Sequence, residues 1–339
     1  MTRTDPVLTR DGAVGWRDIP LDGMTCYHRC VEAVLRATGR STDEVVTEMS
    51  GPITSDFADD GRPDLRLRSA TARWLYAPEG ESRWDVVRDR LATGCPILIW
   101  PDGYFWPGDP YEGRRHIHHH AVLATGIDGG TLRYLDVDAD ETSGFRGEVP
   151  WTDQTRRACT RVLDLDVSTP GPPLLPGEVD ETIAASVEPL GRLAHATADL
   201  ARWWAAGPTR RLAHAVDLYA LGDVQPQVYL FAALCERHGH TDLAKLGYRA
   251  AAVAKKISLL LFGLHKYKPI APYDLCLDDI ESLAARLREM WHLAADTAAL
   301  PDNAVPDGAW LWQRLDALSM WHFDSSIGSC PERVEVRSI

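Results

Sequence analysis

Long apolar runs, paired cysteines and lysines are what this 339-residue chain lacks. Its longest apolar stretch, residues 257–264, is far short of the roughly 20 residues that cross a bilayer. The first dozen residues hold no apolar core of the kind a secretory signal needs, so a cytoplasmic protein is expected. The seven cysteines (Cys26, Cys30, Cys95, Cys159, Cys235, Cys276 and Cys330) are odd in number, scattered, and never spaced Cys-x-x-Cys. That pattern fits reduced thiols and speaks against a disulfide framework or a zinc ribbon. Lysine occurs only at 245, 255, 256, 266 and 268; with abundant alanine, the arginine bias suggests a GC-rich bacterial genome. A net charge of −13 argues against nucleic acid as a partner, because phosphate contacts need a basic surface. An acidic protein partner would need a local basic patch, which Arg114, Arg115, Arg156 and Arg157 could supply.

What is present describes an ordinary globular protein, 45% hydrophobic and 25% charged, long enough for about two domains. Residues 168–181, STPGPPLLPGEVDE, hold four prolines and two glycines and mark the clearest boundary. Before it, segments 95–100, 120–127, 131–137 and 160–167 read as strands, and 26–38, 42–49 and 82–93 as helices. After it, helical spacing runs through 181–207, 208–222, 226–239, 241–264 and 277–299. Gly207, Gly222 and Gly239 stand where C-terminal caps belong. The expectation is α+β over residues 1–170, followed by an all-α domain over 178–339, with no fixed-period repeat.

Two stretches carry chemistry. In LDGMTCYHRCVEAVLRATGR, residues 21–40, a turn-like segment leads into helical spacing from Cys26, ended by Gly39. A cysteine at a helix start meets unpaired N–H groups and the positive end of the helix dipole, which favour a thiolate. The same N–H groups can hold an oxyanion. Such a nucleophile needs a base, oriented by a carboxylate or amide. In HIHHHAVLATGIDGGTLRYLDVD, residues 116–138, two strands flank a turn signal at Asp128, Gly129 and Gly130. Antiparallel pairing sets His120 opposite about Asp138, with Asp136 one diagonal step away, so either carboxylate could serve. Strand alternation groups His116, His118 and His120, with His119 on the other face. No third metal ligand stands nearby, so no metal is expected. Cys30, one turn beyond Cys26, reads as core, as do Trp203, Trp204, Tyr219 and Tyr229. The acidic run at 56–64 reads as a solvated loop.

These residues resemble bacterial papain-like double-glycine leader peptidases. There a nucleophilic Cys precedes a helix ending in Gly thirteen residues on, as Cys26 precedes Gly39. A His also precedes a Gly by six residues and leads a hairpin to an Asp, as His120 precedes Gly126 and leads to Asp136. A closer resemblance is to the butirosin-biosynthesis H protein family. It adds an aspartate-aromatic segment, matched here by Asp102, Tyr104 and Trp106, before a His-rich entry to the catalytic strand. It also carries a helical domain after the papain-like one. The resemblance covers roughly residues 20–325.

It implies a papain-like cysteine-protease fold over 1–170, with the helical domain at 178–339 covering the active-site cleft. The implied activity is acyl or aminoacyl transfer, or cyclisation, in natural-product biosynthesis. Cys26 would take the acyl group from a phosphopantetheine thioester, His120 would act as base and acid, and Asp136 or its competitor Asp138 would orient His120. Pro20 stands where the peptidases carry an oxyanion-hole Gln. The donors would then be the Cys26 backbone N–H and a side chain such as His28. Tyr27, Asp102, Tyr104, Trp106, His118 and His119 would line the substrate pocket. Expected partners are an acyl or peptidyl carrier protein and a small-molecule amine, with no nucleic acid and no membrane; a homodimer is compatible with the sequence. A cysteine peptidase, amidase or thioesterase is the alternative, and a non-catalytic interaction protein on the same fold the second. The 102–111 segment could equally be a proline-braced loop packed on the sheet.

Overall fold

The computed structural model describes residues 26–54, 67–76, 84–109, 111–114, 121–136, 145–159, 161–167, 171, 173–207, 212–213, 216–217, 219–267, 274–301 and 311. Chain order is α1 (Cys26–Ala37), α2 (Thr42–Met49), β1 (Thr71–Tyr76), α3 (Trp84–Ala92), β2 (Ile97–Trp100), β3 (Val122–Asp128), β4 (Thr131–Asp136), β5 (Phe145–Pro150), α4 (Asp153–Ala158) and β6 (Arg161–Asp166). Then come α5 (Pro176–Ala206), a π-helical turn (Tyr219–Val224), α6 (Gln225–Arg237), α7 (Thr241–Tyr267) and α8 (Asp274–Ala298). The α+β expectation holds. One six-stranded sheet, order β1-β6-β2-β3-β4-β5, is antiparallel at every pairing. No helix among the described residues is long and apolar enough to cross a membrane.

Alternation along the strands divides the sheet into two buried faces. Leu98, Trp100, Ala121, Leu123, Leu135, Leu163 and Leu165 share a core with α1 and the C-terminal helices. Ile97, Ile99, Val122, Ala124, Leu132, Val149 and Val162 form a second core with Val87 and Leu91 of α3 and with Trp106. The sheet is thus covered on both sides. Its central strands read as near-continuous apolar runs for that reason.

Local chemistry explains several elements. Ser41 caps α2: its hydroxyl accepts the Glu44 N–H, and Glu44 reaches back to the Ser41 N–H, a reciprocal capping box. Gly129 and Gly130 hold φ of +55° and +82° in the expected β3–β4 turn, which disfavours residues bearing a Cβ. A bulge between Ala124 and Gly126 then shifts the register, so that Leu123 faces Leu135. Gly147 in β5 leaves room for the Tyr134 ring; a Cβ there would lie 2.1 Å from Tyr134 Cζ.

Three expectations need correction. The sequence reading contained no strand at 71–76 or 145–150, and no helix at 153–158; all three are present. Gly222 is not a C-cap. It lies within the π-helical turn, which passes directly into α6 while burying Tyr219 and Val224. The 168–181 segment is not all linker, since α5 starts inside it. Pro176 takes the first turn, where its missing N–H costs nothing, and Glu178 accepts the Leu175 N–H.

The hydrophobic core runs straight across that boundary. Val45, Met49 and Ile53 belong to the same continuous cluster as Ile183, Val187, Val228 and Phe231. Hydrogen bonds tie the segment after α2 to the helices: Ser50 Oγ donates to Leu230 O, Ile53 N–H to Ser186 Oγ, and Thr54 N–H to Gln227 Oε1. Arg68 Nη2 donates to both carboxylate oxygens of Glu178. Trp204, Tyr219 and Tyr229 are buried among the helices, as expected, and Trp203 packs beside them.

Candidate functional site

One end of the sheet gathers the candidate residues. Ile99 pairs with Val122, so β2 ends where β3 begins. Leu123 pairs with Leu135, so β4 ends there too. The N-terminus of α1 packs onto the same point, and Cys26 is its first residue. Helical spacing of four residues turns Cys26 and Cys30 to one side of α1. Their sulfurs bracket a single residue of the β3 entry: the Ala121 N–H donates to Cys26 Sγ at 3.4 Å, and Cys30 Sγ–H donates to the Ala121 carbonyl at 3.9 Å. Cys26 is 9% exposed and Cys30 wholly buried.

The Cys26 sulfur therefore faces one backbone donor from β3 and stands at a helix terminus whose first turn carries no acidic residue. Unpaired N–H groups at a helix start can hold an oxyanion on a carbonyl bound beside that sulfur. Three other cysteines are more deeply buried. Burial pushes the Cys159 and Cys235 thiols up to about 12 and Cys276 to about 11, so they stay protonated and inert. Ala121 was invisible as a functional residue in the sequence, because its contribution is a backbone N–H.

His120, the residue before Ala121, lies outside the described residues, as do His116, His118, His119 and Asp138. The side chain of Tyr27 and the acidic run 56–64 lie outside them as well. Asp136 is half-buried at the end of β4. The ladder continues to set it opposite Val122, and alternation puts it on the face with Tyr134, away from α1. Burial, and then the Asp136 charge, push the Tyr134 phenol up. The bulge in β3 flips the parity of that strand, so that Ile127 beyond it and Val122 and Ala124 before it share the α3 face while Ala121 and Leu123 face α1.

His28 sits two residues beyond Cys26, roughly 200° round the helix, so it shares no face with the sulfur. It is buried, and burial pushes its imidazole down to about 3. Asp102 is fully buried just past β2, where its N–H donates to Ala158 O and its carboxylate accepts the Tyr104 N–H. Trp106 is buried in the core of the α3 face, its ring edge-on to Tyr134 at 5.3 Å. Tyr104 is half-buried against Phe105. Of the two readings of this loop, packing over the sheet accounts for Trp106. Gly147, which makes the slot for Tyr134, was the missed signal; a glycine inside a strand marks a close approach.

The central helix also carries a buried carboxyl. Glu32 is fully buried, bonded by Arg36 Nε at 2.7 Å, and burial pushes it up to about 7. His28 and Glu32 load stability in opposite directions. Folded His28 stays neutral while the unfolded ring, near 6.5, takes a proton; its contribution is whole above that pH and is lost as pH falls. Folded Glu32 stays protonated while the unfolded group, near 4.5, ionises; its contribution is whole at low pH and is lost as pH rises through about 7. Around pH 5.5 the two slopes cancel. His28→Gln should therefore leave stability falling by about 1.4 kcal/mol per pH unit as pH rises, and Glu32→Gln should leave it rising by about as much. Urea unfolding between about pH 5 and 6 measures both slopes; identical slopes in all three proteins would refute the opposition.

No protein-family model matches this chain, and no curated protein matches it.

Proposed function

We propose that the chain is a papain-like cysteine acyltransferase that moves an acyl or aminoacyl group from a carrier-protein thioester to an amine. The observation that carries this reading is the 3.4 Å contact between Cys26 Sγ and the N–H of Ala121, the neighbour of His120. It brings the helix-start sulfur to the residue that follows His120, the proposed base, in the chain.

In the proposed mechanism the Cys26 thiolate attacks the thioester carbonyl. Backbone N–H groups at the start of α1 hold the oxyanion. The carbon–sulfur bond breaks, and the phosphopantetheine thiol leaves with a proton from the His120 imidazolium. The acceptor amine then attacks the Cys26 thioester, His120 takes the amine proton, and the product amide departs as the thiolate re-forms. Asp136 or Asp138 orients His120. His28 fits this scheme poorly as an oxyanion donor, since it lies on another side of α1.

Incubation with an aminoacyl-phosphopantetheine thioester, with and without a panel of amines, tests the reading. Amide product that depends on the amine supports transfer. Free acid at the same rate whatever the amine makes the protein a thioesterase or amidase. No acyl adduct and no turnover leaves the non-catalytic alternative.

A further inference from the structure

Two cysteines of α1 face the same residue of the β3 entry. Cys26 Sγ accepts the Ala121 N–H at 3.4 Å, and Cys30 Sγ–H donates to the Ala121 carbonyl at 3.9 Å. Contact with one residue, from one side of one helix, sets the two sulfurs side by side. Four helical residues separate their Cα atoms by about 6 Å, inside the window of roughly 4.4–6.8 Å that disulfides span. Their Cβ atoms, about 5–6 Å apart in a regular helix, must close by about 1–2 Å to reach bonding distance. Cys26 can supply that movement. It is the first residue of α1, and its N–H has no partner inside the helix to lose. The two thiols differ in exposure: Cys26 is 9% exposed, whereas Cys30 is wholly enclosed. A small oxidant reaches the first sulfur and not the second.

We propose that Cys30 is the resolving thiol of Cys26, so that oxidation of the helix-start sulfur ends in a reversible Cys26–Cys30 disulfide. This role goes beyond the transferase reading and needs only that Cys26 is the thiol a peroxide meets. In the first step hydrogen peroxide oxidises the Cys26 thiol. The O–O bond breaks, an S–O bond forms, and water leaves, giving the sulfenic acid. The Cys30 sulfur then attacks the Cys26 sulfur. The S–S bond forms, the S–O bond breaks, and the hydroxyl leaves as water with the Cys30 proton. A dithiol reductant reverses the step by exchange, its own two sulfurs ending as a disulfide. Without a second thiol beside it, the sulfenic acid meets another peroxide and becomes a sulfinic acid, which thiols do not reverse. The enclosed sulfur thus guards the exposed one and takes no part in turnover.

Arg29 lies between the two cysteines, so trypsin separates them onto residues 18–29 and 30–36. The folded chain is treated with hydrogen peroxide, its remaining thiols are alkylated, and it is then denatured and digested. Mass spectrometry should recover the two peptides as one disulfide-linked pair. Dithiothreitol should release them and restore an alkylatable Cys26. In Cys30→Ala the Cys26 peptide should instead carry two added oxygens, and the Cys26 that dithiothreitol recovers should fall roughly tenfold. Wild-type Cys26 that stays a thiol, gains two oxygens as fast as in the variant, or pairs with another cysteine overturns the proposal. Should the alanine variant fail to fold, the wild-type digest decides alone: a linked pair supports the proposal and its absence overturns it. Acyl transfer is read separately. A chain that transfers acyl groups yet never forms the linked pair keeps the reading above and loses this one; a chain that forms the pair and transfers nothing does the reverse.

Discussion

Cys26→Ala should abolish acyl-enzyme formation and lower turnover by about 10⁴-fold or more, with the fold intact. The substitution removes one sulfur at the first position of α1, where alanine is an acceptable helix former. It leaves the Ala121 N–H without its acceptor, a cost of about 1–3 kcal/mol at most, well inside ordinary domain stability. The large effect therefore falls on chemistry. Cys30→Ala is the matched control. That thiol is more deeply buried and touches the same residue, yet its proposed role is packing, so acylation should persist while stability drops by about 1 kcal/mol. Intact-mass measurement after thioester treatment, with a thermal melt of each variant, separates the two. Undiminished turnover in the alanine protein at position 26 would falsify the mechanism.

A fragment ending at residue 170 should fail to fold. The helical half completes the core that α2 and the segment after it enter, through Ile183, Val187, Leu190, Val228 and Phe231. Truncating even one large aliphatic in such a core costs about 2–5 kcal/mol, and whole domains hold only about 5–15 kcal/mol. Losing this whole set exceeds that margin. The fragment also strips the acceptors from Ser50 Oγ and from the Ile53 and Thr54 N–H groups. Near-ultraviolet circular dichroism and urea titration should show a non-cooperative fragment, and one transition for the full chain. A fragment that melts cooperatively would mean two independent domains.

The four interior strands are legible along the chain, and both edges are not. β2 and β3 at the centre, buried on both faces, announce themselves as apolar runs, and β4 and β6 beside them alternate apolar with polar residues. The two strands the sequence reading missed, β1 and β5, are the two edges. β5 reads FRGEVP: charge, glycine and proline in six residues, the composition that edge strands tolerate and central strands do not. Gly222 was misread for a related reason. A glycine stops a helix only where nothing downstream holds the chain helical, and here buried Val224 and α6 carry the helix past it.

Spacing alone places Cys26 at a helix start and Gly129 and Gly130 in a hairpin, because each depends on neighbours within a few residues. That Cys26 would meet Ala121, ninety-five positions away, depends on how a helix and a sheet end pack together. So does the facing of Ala121 and Leu123 toward α1, which one bulged residue in β3 sets. The joining of both halves into one core is likewise the product of long-range packing. Hydrogen bonds and apolar contacts between distant segments have no periodicity for a linear sequence to display.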